Sequence, residues 1–406
     1  MRHTKILPWT MWFIITAFVV CTLLIANVYY PIILPDQQSS INMTTAMVGT
    51  LSFISFFVYA FLQIPVAIWA EQYSLKYILL ISIGIITAGL FIYISAHTFM
   101  PLALGRTLIA IGSAFAFIGS AAVSIQWFSE KEFPFVFGLM QGISNLSVVV
   151  FMLIMPIFII NKQSWRPVGL TLALTTIVIF ILALFFFRQA KQSKNRSAIF
   201  TSLLNVLSNK QVWVASAFGG LLMGSLVGFG ANWNIIYQKT YAHTLYGASI
   251  INSAIFLGFA IGNPIVGWLS ERWGSTKKLI LYFTTATFLL FTIIVLAHKL
   301  AFLLIVIIMF VFGFSASVSI LAFTIVITIL PPAERNIGVG LCNTIINISI
   351  AVISFLVGMV IDAVTVHTTA HLFAERIALS LFLFAILESF VFALFIEEPK
   401  NNAHLD

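Results

Sequence analysis

Four amides stand in two matched pairs: Gln141 and Asn145 in "GLMQGISNLS" (138–147), Asn343 and Asn347 in "GLCNTIINIS" (340–349). Each pair is spaced i, i+4, so on a helix its two side chains share one face. All four sit in long apolar runs, where an amide is accounted for either by hydrogen bonds between helices or by a polar solute. Arg106, in "GRTLIAIGSA" (105–114), raises the same question more sharply. An arginine at the centre of an apolar helix costs about 2.5–3.5 kcal/mol on insertion scales, and less where it can snorkel towards an end. It either meets a solute or a proton-carrying partner, or it bonds the carbonyls of a neighbouring helix. Glu388, mid-way along the last apolar run, and Asp362, near the end of the run before it, are the carboxylates placed to carry a proton, with Glu271 a third to test.

The polar stretch "GWLSERWGSTKK" (267–278) gathers Glu271, Arg272, Lys277 and Lys278 between Gly267 and the turn at Gly274. Gly267 is expected to let two helices approach closely, and the charges to latch them in one state and release them in another. His367, His371 and Glu375 are also four apart, but no further ligand accompanies them, and no metal centre is expected. There is no phosphate-cradling loop and no nucleophile–base set, so neither ATP drive, a cofactor nor an enzymatic reaction is expected.

Composition dictates the scaffold on which these groups are mounted. Of 406 residues 61% are hydrophobic and only 8% are charged, against about 25% charged in soluble domains. Twelve stretches, from 8–34 to 375–396, reach the roughly 20 apolar residues that cross a bilayer. They are long and apolar on every face, which excludes a β-barrel. The expectation is an all-α integral membrane protein whose solvent is largely lipid. Arg2 and Lys5 precede the first run as in a signal peptide, but the run is too long for one and is read as an uncleaved span.

The net charge of +8 describes topology. With the N-terminus inside, fourteen Lys and Arg fall on inside segments, Lys76, Arg188, Arg272 and Arg335 among them, and four outside: Lys162, Arg166, Lys239 and Lys299. That asymmetry is the positive-inside signature of a bacterial inner-membrane protein with both termini in the cytoplasm, and it argues against nucleic acid as a partner. Cys21 and Cys342 lie within spans and imply no disulfide.

The polar stretch 188–211 divides the spans six and six, giving an N-terminal bundle (1–187), a cytoplasmic linker (188–211) and a C-terminal bundle (212–406). The halves repeat. The two amide pairs align at an offset near 200 residues, as do "AIWAEQYSLKY" and "GWLSERWGSTK", which sets Glu71 opposite Glu271. "ANVYY" (26–30) and "ANWNI" (231–235) align similarly.

"GWLSERWGSTKK" resembles the G-x-L-x-D-R-x-G-x-x-K signature of the major facilitator superfamily, with Glu271 in place of Asp. "GRTLIAIGSA" is similar to that family's fourth-span motif at Arg106 and Gly112, and "WFSEKEFPFVFGLMQG" (127–142) to its loop and fifth-span start. The resemblance implies two pseudo-symmetric six-helix bundles rocking about a central site. It also implies that the first and seventh helices line that site, which adds Asn27, Tyr30, Asn232 and Trp233, with Asn234, Gln63 and Gln126 as further lining candidates. "YAFLQIP" and "QWF" look most like the phagosomal nutrient transporters of intracellular bacteria, which carry amino acids or nucleosides. The expected function is proton-coupled uptake of such a solute by a monomer in the lipid bilayer. The alternative is a siderophore or drug transporter of the same superfamily. The first span lacks the acid that proton-coupled drug exporters carry, Thr22 standing in its place, and Ile143 replaces the proline of their fifth-span motif, so uptake is favoured.

Overall fold

The computed structural model describes residues 3–128, 133–162, 165–188, 199–240, 244–272, 275–297, 300–331, 334–365 and 371–397. Among them there is no strand, and twelve helices are long and apolar enough to cross a membrane. The first six crossing stretches are α1 (Leu7–Ile41), α2 (Thr45–Ala70), α3 (Leu75–Ser95), α4 (Phe99–Ser124), α5 (Leu139–Ile157) and α6 (Arg166–Phe186). The second six are α7 (Lys210–Lys239), α8 (Leu245–Ser270), α9 (Thr276–Leu296), α10 (Phe302–Ile329), α11 (Ile337–Thr365) and α12 (Phe373–Leu394). A short amphipathic helix, Ile199–Ser208, lies between them and is tied by Asn205 Nδ2 to Glu334 Oε1 (2.7 Å).

α1 runs seven residues past the apolar stretch seen in sequence. Pro31 is tolerated because it falls at the start of a new helical turn, directly after a π-helical turn at Ile25–Tyr29. Asn42, in the left-handed region (φ 55°), then ends the helix with its N–H on Gln38 O.

The repeat seen in sequence recurs in the backbone and its repairs. The π-turn of α1 has its counterpart in α7 at Phe229–Trp233. The Lys76 ammonium donates to Leu184 O at the end of α6 (2.7 Å), and Lys277 donates to Leu394 O at the end of α12 (2.6 Å). Arg166 donates to Ile94 O and Ala96 O at the end of α3, and Arg376 to Ala297 O past the end of α9. Each cation satisfies a helix C-terminus whose last carbonyls have no partner within the helix.

Within the first half α3 packs on α4 and α6, and α1 on α4, α5 and α6; within the second, α7 packs on α11 and α12, and α8 on α10. The halves meet where α2 runs along α11 and α5 along α8. With twelve crossings both ends of the described chain emerge on one face, the terminal face, opposite a distal face. At the distal end of the α2–α11 seam the backbones touch. A Cβ on Gly358 would lie 2.6 Å from Thr45 O and 3.2 Å from Gly49 Cα, and one on Gly49 would lie 3.1 Å from Phe355 O.

Towards the terminal face α2 and α11 meet through Gln63 Oε1, which accepts from Asn343 Nδ2 (3.1 Å), and three glycines there are uncrowded. A Cβ on Gly142, Gly267 or Gly340 would meet nothing within 4 Å. The close approach expected at Gly267 is therefore not made in this state. The Lys277 ammonium anchors its own half, Arg272 lies over the Trp268 ring (4.5 Å), and Lys278 is exposed. Gly274 and the side chains of Glu71 and Glu271 lie outside the described residues.

Gly358→Val is expected to hold the distal ends apart, because overpacking a tight contact costs about 1–3 kcal/mol. The check is the distance between spin labels at the exposed Ser39 and Tyr246. The population with separated distal ends should rise roughly tenfold or more, and an unchanged distribution would refute the seam.

Candidate functional site

Between the halves lies a cavity of about 280 Å³, small beside the 300–1,000 Å³ common for ligand sites. Asn27, Tyr30, Arg106, Gln141, Asn145, Asn343 and Asn347 all line it. Sequence reasoning thus assembled one polar wall from α1, α4 and α5 and another from α11. Its apolar surface combines aliphatic side chains with aromatic ones that the sequence did not single out, Phe56, Phe117, Phe256 and Phe259.

Arg106 is the one charged residue among the lining residues. It is 6% exposed, with its guanidinium carbon 3.3 Å above the Tyr30 ring centroid and its Nε donating to Ser55 Oγ (2.5 Å). Tyr30 rests edge-on against Tyr93 (5.2 Å), whose hydroxyl donates to Gln37 Oε1 (2.8 Å). This aromatic shelf fixes the arginine through a desolvated cation–π contact, an interaction worth about 2 kcal/mol or more. Among the described residues the one ion pair is Lys239–Asp36, so no described carboxylate balances the charge.

Ser55, Tyr59 and Gln63 recur every four residues along α2, and Ser55 and Tyr59 line the cavity. Their helical spacing was the signal that could have found them as a set. Gln63 works between the halves: its Nε2 donates to Ala114 O (3.2 Å), at the break in α4, while its Oε1 accepts from Asn343 Nδ2 (3.1 Å).

Several expected site residues lie elsewhere. Asn232 is absent from the cavity wall: its Nδ2 donates to Gly228 O and Ser354 Oγ (3.2 Å each), and its Oδ1 accepts from Ser52 Oγ (2.6 Å). Asn234 donates to Asn252 Oδ1 (2.9 Å), and Asn252 donates to Gly230 O (2.9 Å). The reason is local: the π-turn breaks the α-helical ladder, and these amides satisfy the carbonyls around it. Trp233 is buried away from the cavity, as is the Gln126 side-chain oxygen. Glu388 is half-buried on α12 and does not reach the cavity. His367 and the side chain of His371 lie outside the described residues.

Asp362 belongs to the distal closure. Its two oxygens accept from Thr45 N (2.9 Å) and Ala46 N (2.6 Å), so a carboxylate at the end of α11 caps the first turn of α2 in the other half. The pair Lys239–Asp36 (3.7 Å) joins α7 to α1 nearby. With the Gly49–Gly358 seam and Ser52–Asn232, these contacts shut the distal side of the cavity.

A cavity at the seam of two six-helix halves, closed at one face by contacts between them, is the geometry of a carrier. The family model of the Major Facilitator Superfamily matches residues 13–353 and, in a second match, 228–405. The chain belongs to the major facilitator superfamily. Among curated proteins it is 23% identical over 288 residues to the lysosomal dipeptide transporter MFSD1 of Mus musculus, covering 66% of this chain and 61% of that protein. It is 27% identical over 292 residues to the probable transporter MCH2 of Saccharomyces cerevisiae, covering 68% and 60%. The chain thus matches about three-fifths of the length of these relatives. Among solved structures it superposes on a bacterial homologue of the human lysosomal transporter Spinster, in an inward-facing and occupied conformation, with TM-score 0.78 and 12% identity over 97% of this chain and 96% of that one. It superposes on the nucleoside transporter NupG with TM-score 0.75 and 14% identity over 96% and 99%. As a superfamily member it is a multi-pass membrane protein of a family that moves small solutes.

Asp362→Asn keeps the shape of the cap but removes its charge, and hydrogen bonds to charged groups contribute about 1.5–3 kcal/mol. Lys239→Met breaks a half-exposed pair worth about 0–1 kcal/mol. Spin-label distances across the distal face should therefore shift at least about tenfold in population for Asp362→Asn and little for Lys239→Met. Equal effects would remove the cap from the closure.

Proposed function

We propose that this chain is a secondary importer that takes up a small polar solute, an amino acid or nucleoside, across a bacterial inner membrane with a proton. Its two halves rock about the central cavity. The observation that carries the reading is the cavity itself: small, polar on opposing walls and shut on the distal side. With both termini cytoplasmic, as the charge asymmetry indicates, this is the inward-facing state of a monomeric carrier. The volume of about 280 Å³ suits a small solute better than a siderophore. The names of MFSD1 and NupG, a dipeptide and a nucleoside transporter, point to solutes of similar size and chemistry.

The proton's carrier lies off the cavity wall. Arg106 keeps its proton under ordinary conditions, and no Asp, Glu or His lines the cavity among the described residues. That leaves Asp362, whose charge the distal closure uses directly, ahead of the remote Glu388. One positive charge moving inward across 100 mV supplies about 2.3 kcal/mol, enough for roughly 40-fold accumulation of a neutral solute at about 1.4 kcal/mol per decade. The latch residues Glu271, Arg272, Lys277 and Lys278 are assigned to the opposite state, in which the terminal ends close.

The test is uptake of labelled amino acids and nucleosides by proteoliposomes, with and without an inward proton gradient. Accumulation of at least one solute, raised severalfold by the gradient, is expected. Uptake indifferent to the gradient would remove the proton, and no uptake by folded protein would overturn the importer.

A further inference from the structure

We infer that the transported solute carries a carboxylate and that Arg106 is the group that binds it. The inference rests on the reading of the central cavity as the solute site, and it narrows the choice of solute that reading leaves open.

Arg106 is buried at the cavity wall in a chain whose solvent is largely lipid, and an unpaired charge there is destabilising by several kcal/mol. Ordinary structural arginines of this protein resolve the problem by donating to helix-terminal carbonyls, as Arg166 and Arg376 do. Arg106 instead donates through Nε to a serine hydroxyl, with its flat face against Tyr30. Neither contact supplies negative charge. Its planar fork has five N–H donors and matches a carboxylate in two parallel bonds. The Ser55 and Tyr30 contacts hold that fork in place before any solute arrives, so little rotamer entropy remains to be lost on binding.

The rest of the wall agrees. Gln141 Nε2 is buried without a hydrogen-bond partner and lines the same cavity, a further donor for an anion. No lining residue is acidic, so a solute with net positive charge would meet Arg106 with nothing to offset the repulsion. An ammonium group would find only neutral acceptors, amide oxygens such as those of Asn27 and Asn145 and hydroxyls such as those of Thr22 and Ser113. The aromatic and aliphatic remainder, Phe56, Phe117, Phe256 and Phe259 among it, asks for an apolar body. The chemistry described is a small carboxylate with an apolar side group, zwitterionic or anionic, and neither a nucleoside nor a basic amino acid.

The experiment measures ligand-induced thermal stabilisation of the purified full-length protein in detergent, alongside uptake of the same compounds in proteoliposomes. The probes are L-leucine, L-phenylalanine, 4-methylpentanoate, L-leucinamide, L-lysine and uridine. At least one of the first three should raise Tm by several degrees at saturation, while leucinamide, lysine and uridine leave it unchanged. Arg106→Lys should weaken the active carboxylate about tenfold or more, because a point charge replaces a fork, and Arg106→Gln should abolish the shift. Stabilisation by uridine or leucinamide, undiminished carboxylate binding in Arg106→Gln, or no shift with any carboxylate would overturn the inference. The comparison of leucine with leucinamide is made on the unaltered protein, so it decides even where a variant fails to fold. Carboxylate binding without accumulation would uphold the inference and sink the importer; accumulation of uridine alone would do the reverse.

Discussion

In hydrocarbon an unsatisfied peptide group costs several kcal/mol, so every break in a helix must be repaired from within the protein. This chain breaks α1 at Ile25–Tyr29 and α7 at Phe229–Trp233, and part of its polar interior repairs the second of these breaks and the interruption of α4 at Ala114. Asn232 and Asn252 satisfy carbonyls around the second turn, Asn234 supports Asn252, and Gln63 covers the interruption of α4 at Ala114. Two of these groups also cross between the halves, Asn232 to Ser52 and Gln63 to Asn343. The repairs are therefore part of the closure that shapes the cavity.

The duplicated halves share their scaffold and divide their chemistry. Both use a lysine and an arginine at matching places to finish neighbouring helices, and both carry the π-turn. Only the first half places a charge in the cavity: α4 contributes Arg106, and α10 has no charged residue at all. A cavity with one charged wall and one neutral amide wall can orient a solute end to end, which a symmetric pair of walls could not.

The fold was legible in the sequence because lipid leaves few alternatives. Twelve apolar runs, lysine and arginine asymmetry and an offset near 200 residues sufficed for the helices and their duplication. The site was legible where helical phase is regular: Gln141 with Asn145 and Asn343 with Asn347 lie on the cavity as their spacing indicated. It was misleading at the π-turn of α7. The resemblance put Asn232 and Trp233 on the wall, and the structure spends Asn232 on hydrogen bonds around the turn and buries Trp233 elsewhere. Asn27 and Tyr30 at the turn of α1, by contrast, do line the cavity. Of the stripe Ser55–Tyr59–Gln63 only Gln63 was singled out in the sequence, and the aromatic wall looked like ordinary span interior.

The central claim is that closure at the distal face and opening at the terminal face are two ends of one motion. Its most direct measurement is a pair of spin-label distances in reconstituted protein, Ser39 to Tyr246 across the distal face and Tyr73 to Tyr282 across the terminal face. These are recorded with and without a solute that the protein accumulates. The account predicts populations that exchange in opposite senses, the distal pair lengthening as the terminal pair shortens. Distances that stay fixed, or that lengthen and shorten together, would contradict it.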